Sequence, residues 1–272
     1  VGQMVQGRAN PDGETWLRIG SECEGAECVI VAELEDPDAR TLPVLFLAEA
    51  LRSREAHRVG LVAPYLPYMR QDREFSEGEV VTSRHYADLL SSHIDWLATV
   101  DPHLHRHDSL DGLYSARTII AQAAGAIAEW LGSLDEPLVL VGPDAESQQW
   151  VEAVADRGDF PFLILEKERL GDRDVELTAE GLTGYSDHQP VVLDDIISTG
   201  STMLETVARL SAAGYRAPIC VGIHAVFSDD AMGLLLDAGA QRVVTCNTID
   251  HPTNAIDVTP SLAAAIEEAI SE

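Results

Sequence analysis

Short, almost wholly apolar runs alternate with longer amphipathic ones along nearly the whole chain, and this order restricts the fold more than any other property of the sequence. Cys28–Glu33, Val59–Ala63, Trp96–Asp101, Pro137–Val141, Phe162–Glu166, Val191–Leu193, Pro218–Ala225 and Arg242–Thr245 read as strands. Between and after them, Thr41–Ser53, Ser83–Ser92, Ser115–Leu131, Ser147–Arg157, Thr202–Ala213, Asp229–Ala238 and a stretch from Ser261 towards Ser271 carry helical spacing. A strand that is apolar on both faces must be covered on both faces, and helical crossovers do this for parallel sheets. The predicted class is α/β. A chain of 272 residues has room for two such sheets. The pattern is interrupted by turn residues and acids at Gly132–Pro137, which divides it into residues 1–134 and 135–272.

Charge and cysteine usage exclude several classes of function. There are 46 acidic side chains against 18 basic ones, a formal net charge of -28, and the few cations are dispersed, so a nucleic-acid binder is not expected. No apolar run approaches the ~20 residues a spanning helix needs, and the chain reads as a soluble, cytoplasmic protein with no membrane partner. Seventeen of the 18 basic residues are arginines, and Lys167 is the sole lysine. Such a balance suits a protein adapted to high salt, where screening suppresses carboxylate repulsion; a G+C-rich genome would also exchange Lys for Arg. Cys23, Cys28, Cys220 and Cys246 form no paired metal-ligand spacing and read as reduced thiols.

The strongest local signal is Val191-Val-Leu-Asp-Asp-Ile-Ile-Ser-Thr-Gly-Ser-Thr202. A strand ends in two carboxylates, Asp194 and Asp195, and a loop of small residues, Ser198, Thr199, Gly200, Ser201 and Thr202, opens a helix. Backbone amides, hydroxyls and the positive end of a helix suit a phosphate dianion, while the acids suit sugar hydroxyls, directly or through Mg²⁺. Two successive acids at a strand end are costly unless something binds them.

This segment resembles the ribose-phosphate motif of the type I phosphoribosyltransferase fold. Further segments narrow the resemblance: Ala63-Pro-Tyr-Leu-Pro-Tyr-Met-Arg-Gln-Asp-Arg-Glu-Phe75, Val100-Asp-Pro-His103, Val141-Gly-Pro-Asp144 and Glu166-Lys-Glu-Arg169 are similar, in order, to the motif set of ribose-phosphate diphosphokinases. The resemblance runs from about Asn10 to about Asn254 and implies two phosphoribosyltransferase-like domains, each a mainly parallel sheet flanked by helices. It implies an enzyme that moves diphosphate from Mg-ATP to the C1 hydroxyl of ribose 5-phosphate, as a homo-oligomer, dimer or hexamer.

Residue by residue, the resemblance gives Arg70 and Gln71 to ATP, Asp12 and Glu14 to adenine in a neighbouring subunit, and His103 and Asp144 to the metal site. Asp194, Asp195 and Ser198–Thr202 fall to ribose 5-phosphate, and Lys167 and Arg169 to a loop that closes over the triphosphate and stabilises the transition state. By their own chemistry, Pro11-Asp-Gly-Glu14 reads as a surface β-turn, Arg70-Gln-Asp-Arg73 as a phosphate fork or a salt-bridge cluster, and His105 and His107, to which no functional role is assigned, as structural. The chain departs from the family pattern twice: Asn10 stands where a Phe commonly stacks on adenine, and Ala145-Glu-Ser147 replaces a glycine-rich or basic loop. The family also carries a further strand and helix ahead of the Pro11–Glu14 loop. Two other readings use part of this set: a phosphoribosyltransferase consuming the diphosphate, which has no use for the Arg70 and His103 segments, and a catalytically weak regulatory homologue that binds nucleotide.

Overall fold

A computed structural model describes residues 6–104, 109–165, 183–228 and 230–271. It divides into two compact units, one running to Ala121 and resuming at Ser261, the other formed by Gln122–Pro260.

The first unit begins with an antiparallel hairpin of β1 (Gln6–Ala9) and β2 (Thr15–Arg18). A four-stranded parallel sheet follows in the order β3 (Glu27–Val31), β4 (Arg58–Val62), β5 (Trp96–Val100), β6 (Arg117–Ala121). Helices α1 (Pro37–Arg52) and α2 (Thr82–Ser91) connect its strands. Their inward residues, among them Val44, Ala48, Leu51, Tyr86 and Leu90, join Val59, Leu61 and Leu97 in one core.

Gly60 has room for hydrogen only: a Cβ there would lie 2.0 Å from the indole of Trp96, its partner across β4 and β5. That indole is 1% exposed and donates from Nε1 to Glu27 Oε1 at 2.8 Å. The same glutamate accepts from Arg58 Nε at 2.8 Å, and Arg58 also donates to the carbonyls of Ala269 and Ile270 at 3.3 and 3.2 Å. Those carbonyls belong to the end of the last helix, Thr259–Ser271, where unpaired acceptors favour a cation. An arginine on β4 thus fastens a helix made more than 200 residues later in the chain.

The second unit carries a six-stranded parallel sheet in the order β12 (Asn254–Ile256), β11 (Arg242–Cys246), β10 (Ile219–Ala225), β9 (Gln189–Ile197), β7 (Leu138–Gly142), β8 (Phe162–Ile164). Its helices are α3 (Ala124–Gly132), α4 (Gln148–Gly158), α5 (Ser201–Ala212) and α6 (Ala231–Asp237), and the Thr259–Ser271 helix is α7. The chain leaves β7 towards β8 and returns on the other side of β7 as β9, then continues through β10 to β12. The switch in direction therefore lies between β7 and β9, and crevices at such points, outside the carboxyl ends of the strands, are where open α/β sheets bind ligands.

The α/β expectation is met, with parallel sheets flanked by helices. The expected Ser115–Leu131 helix is corrected: Arg117–Ala121 is strand β6, and only Ala124–Gly132 is helical. The β-branched run Thr118-Ile119-Ile120 pairs with β5 in register Leu97↔Thr118 to Thr99↔Ile120, and edge pairing outweighs the helical spacing of the alanines that follow. Strands β1, β2 and β12 were not expected. All four cysteines are free thiols; Cys23, Cys220 and Cys246 are buried, and Cys28 is half-buried. Among the described residues no helix is long and apolar enough to cross a membrane.

Candidate functional site

In the second unit, the carboxyl ends of β7 and β9 bring together most of the residues singled out above. Strand β9 outruns β7: their last registered pair is Val141↔Val192, whereas β9 continues beside β10 through Gly222↔Asp194 to Ala225↔Ile197. Asp194 and Asp195 thus sit on a strand held from one side and open towards the switch point on the other. Asp194 is half-buried and Asp195 is 3% exposed. Asp194 Oδ1 accepts the backbone N–H of Asp195 at 3.0 Å.

Asp144 follows β7 in a tight turn. Its Oδ1 accepts the amides of Glu146 (3.0 Å) and Ser147 (3.2 Å), and Ser147 Oγ donates to the Asp144 carbonyl at 2.7 Å. This side-chain turn opens α4 and fixes the carboxylate at the strand end. Glu146, the acid in the unusual Ala145-Glu-Ser147 segment, is exposed.

The electrostatics link these acids. Burial pushes the Asp194 carboxyl well above the usual range, and the negative charges of Asp195 and then Asp144 push it the same way, against the Asp195 amide. A hard divalent cation would reverse that penalty, and oxygen donors of this kind are what Mg²⁺ takes. Among the described residues no group of three or more His, Cys, Asp or Glu side chains is gathered closely enough to hold a metal by protein ligands alone.

Beyond Asp195, the chain turns through Ser198–Thr202 into α5. Gly200 caps the helix with φ 72°, in the left-handed region that favours glycine, and Leu204 N–H closes the first turn onto its carbonyl at 2.7 Å. As a glycine, the cap has no side chain to cover the first-turn amides. Thr199 Oγ1 donates to Ser201 Oγ at 3.2 Å and accepts from Ser201 N–H at 3.4 Å, so two hydroxyls gather at the helix start. The loop is braced from β10's exit, where Ser228 N–H donates to the Ser198 carbonyl at 3.3 Å.

In the first unit, β4 and β5 are neighbours, and the loops from their carboxyl ends carry Arg70, Gln71 and His103. Tyr65, Leu66 and Met69 are buried, which leaves Arg70 and Gln71 exposed at the end of the β4 loop. His103 is half-buried and follows Asp101, a non-glycine residue at φ 32°. Asp12 and Glu14 are exposed at the tip of the β1–β2 hairpin, where Asp12 Oδ1 accepts the Glu14 amide at 3.1 Å, and Asn10 closes the turn with Glu14 (2.8 Å) and Gly13 (2.9 Å). Lys167, Arg169, His105 and His107 lie outside the described residues.

Two supports of the site were not singled out in the sequence. Ser147 and Gly142 hold the Asp144 turn, and Tyr68 with Asp38 holds the Arg70 loop. The Asp-x-x-Ser spacing was a usable signal for the first pair; the second joins residues thirty apart and has none.

The N-terminal domain of ribose phosphate pyrophosphokinase matches residues 3–93, and the phosphoribosyl transferase domain matches residues 109–261. The ribose-phosphate pyrophosphokinase of Methanopyrus kandleri is 30% identical over 94% of this chain and 88% of its own. The chain belongs to the ribose-phosphate pyrophosphokinase family. The ribose-phosphate pyrophosphokinase of Methanothermobacter thermautotrophicus is likewise 30% identical, over 97% of this chain and 91% of its own. The crystal structure of phosphoribosylpyrophosphate synthetase from Mycobacterium smegmatis superposes with a TM-score of 0.84 at 26% identity, covering 98% of this chain and 90% of that one. The pyrophosphokinase architecture of two phosphoribosyltransferase-like domains therefore extends over nearly the whole sequence.

Proposed function

We propose that this protein transfers the β,γ-diphosphoryl group of Mg-ATP to the C1 hydroxyl of ribose 5-phosphate, giving phosphoribosyl diphosphate and AMP. The observation that carries the reading is the meeting of Asp144, Asp194, Asp195 and the Ser198–Thr202 loop at the β7/β9 switch point. A loop of hydroxyls at a helix start whose glycine cap carries no side chain suits the 5-phosphate, and the paired acids beyond it suit the ribose hydroxyls. Arg70 and Gln71 take the phosphates of ATP, and Asp12 and Glu14 take the adenine bound by a neighbouring subunit, which requires a homo-oligomer.

Chemically, the C1 oxygen attacks the β-phosphorus in line. The C1–O–Pβ bond forms, the bond from Pβ to the α,β-bridging oxygen breaks, and AMP leaves with that oxygen; the hydroxyl proton passes to solvent. Mg²⁺ would supply charge neutralisation on the phosphates; the family resemblance gives it Asp144 of the second unit and His103 of the first as protein ligands. Lys167 and Arg169 would add positive charge at the triphosphate, as the resemblance implies, so catalysis is mainly positioning and charge stabilisation. A phosphoribosyltransferase reading would account for residues 109–261 but leave the domain matched over residues 3–93 without a use.

The test is AMP formation from ATP and Mg²⁺, with and without ribose 5-phosphate, by the wild type and Lys167→Ala. Ribose-dependent AMP that is lost in the variant supports the reading. Consumption of phosphoribosyl diphosphate with a nucleobase, or nucleotide binding with no AMP at any salt concentration, refutes it.

A further inference from the structure

The loop that presents Arg70 and Gln71 has a feature the proposed chemistry does not use. Tyr68 lies at φ 64°, in the left-handed region that a bulky residue adopts only when its surroundings hold it there. Two contacts do so. Its hydroxyl donates to Asp38 Oδ1, at the start of α1, and its ring packs on Tyr86 of α2 with centroids 4.7 Å apart at 49°. Tyr86 is itself tied to α1, its hydroxyl sharing a hydrogen bond with Thr41 Oγ1 at 3.0 Å.

The turn at Tyr68 has a direct geometric consequence. Met69, 2% exposed, enters the core, and Arg70 and Gln71 turn outward. Gln71 is then fixed by both neighbours: its N–H donates to the Tyr68 carbonyl at 3.1 Å, its carbonyl accepts from Ser83 N–H at 3.3 Å, and its Oε1 accepts from Thr82 Oγ1 at 2.5 Å. With Oε1 engaged, the amide nitrogen is the end of the side chain left to donate towards an anion. Tyr68, Tyr86, Asp38, Thr41, Thr82 and Pro37 line one groove of ≈ 390 Å³ between the helices, so the loop is latched into a cleft and not onto a flat face.

We infer that Tyr68, held by Asp38 and Tyr86, is a positioning residue for ATP binding, acting through Arg70 and Gln71. The inference rests on the reading above that those two residues bind ATP. The hydrogen bond to Asp38 raises the phenol to about 12, so it remains a donor over the whole working range of pH.

The experiment is steady-state kinetics of AMP formation on the full chain, with thermal melts of every variant. Tyr68→Phe keeps the ring and deletes the donor; it is expected to raise KM for ATP about 5- to 10-fold, with kcat and KM for ribose 5-phosphate within about 2-fold. Asp38→Ala should behave alike, and Asp38→Asn, which keeps an Oδ1 acceptor, should restore KM towards wild type. A merely structural latch would lower the melting temperature and the active fraction, leaving KM for ATP unchanged. Arg70→Ala separates the two readings. If it raises KM for ATP while Tyr68→Phe and Asp38→Ala do not, the inference is overturned and the ATP assignment stands. If Arg70→Ala leaves KM for ATP unchanged, the ATP assignment fails and takes the inference with it.

Discussion

Gly142→Ala should disturb the Asp144 turn from beneath. Gly142 ends β7, and a Cβ built there would lie 2.6 Å from Ile164 Cδ1, 2.7 Å from Ser147 Oγ and 3.3 Å from Val151 Cγ2. Ile164 contributes the tip of a flexible side chain and can swing aside. Ser147 cannot: it is buried, and its Oγ donates to the Asp144 carbonyl at 2.7 Å. Relieving the clash requires either a shift of the strand end, an overpacking cost of about 1–3 kcal/mol, or loss of that hydrogen bond, about 1 kcal/mol. The entropy gained by removing a glycine from the unfolded chain offsets only about 0.4–1 kcal/mol. A net loss of about 1–2 kcal/mol is expected, which for a chain of this size lowers the melting temperature by about 2–8 °C. Guanidinium titrations at constant slope would measure it, with Gly132→Ala, whose Cβ meets nothing within 4 Å, as a control expected to be neutral or stabilising. If the clash acts through Ser147, then Gly142→Ala with Ser147→Ala should cost less than the sum of the two, by about 1 kcal/mol. Strict additivity, or a Gly142→Ala variant as stable as wild type, would refute the reasoning.

Three other outcomes follow from the same geometry. Gly60→Ala should lower the melting temperature more than Gly142→Ala does, because its Cβ would meet three indole atoms of Trp96 at 2.0–2.6 Å and the ring is tied to Glu27; calorimetry on the two variants side by side checks this. Asp194→Asn should stabilise the protein at neutral pH without divalent cation: the raised carboxyl means stability falls as pH climbs from the unfolded value of about 3.9 through the folded one, so variant and wild type should converge in acid and separate above it. Equal melting curves at pH 7 would count against mutual repulsion with Asp195 and Asp144. With a net charge of -28, the unfolding midpoint should rise with KCl into the molar range, and a flat or falling trend would dismiss the high-salt reading of the composition.

The parts of the fold legible in the sequence were those where one local property decides. Leu138–Gly142 and Ile219–Ala225 are strands because their runs are almost wholly apolar, and Asp194 and Asp195 stand out because two successive acids at a strand end are costly unless something binds them. Arg117–Ala121 was obscured by the alanine-rich helix that follows it without a strong break, and became a strand through pairing with β5. The hairpin strands and β12 are three or four residues long, too short for a period to emerge. Which unit a helix joins is decided by contacts such as Arg58 on the Ala269 and Ile270 carbonyls, invisible to any local pattern. The same holds at the site: Asp194 could be named from its neighbours, whereas the bracing of Arg70 by Tyr68 required a backbone angle.

That long-range fastening has a consequence for synthesis on the ribosome. The first unit's sheet emerges early, but the helix that Arg58 holds is translated only after the whole of Gln122–Pro260, a delay of roughly 10–30 s at ordinary elongation rates. During that interval the nascent first unit waits with the side of β4 around Arg58 uncovered, whereas the second unit's sheet is complete as soon as β12 has been made. The protein is thus finished in an order opposite to the one in which it is begun, and chaperone dependence or proteolytic nicking during expression should concentrate on the amino-terminal unit.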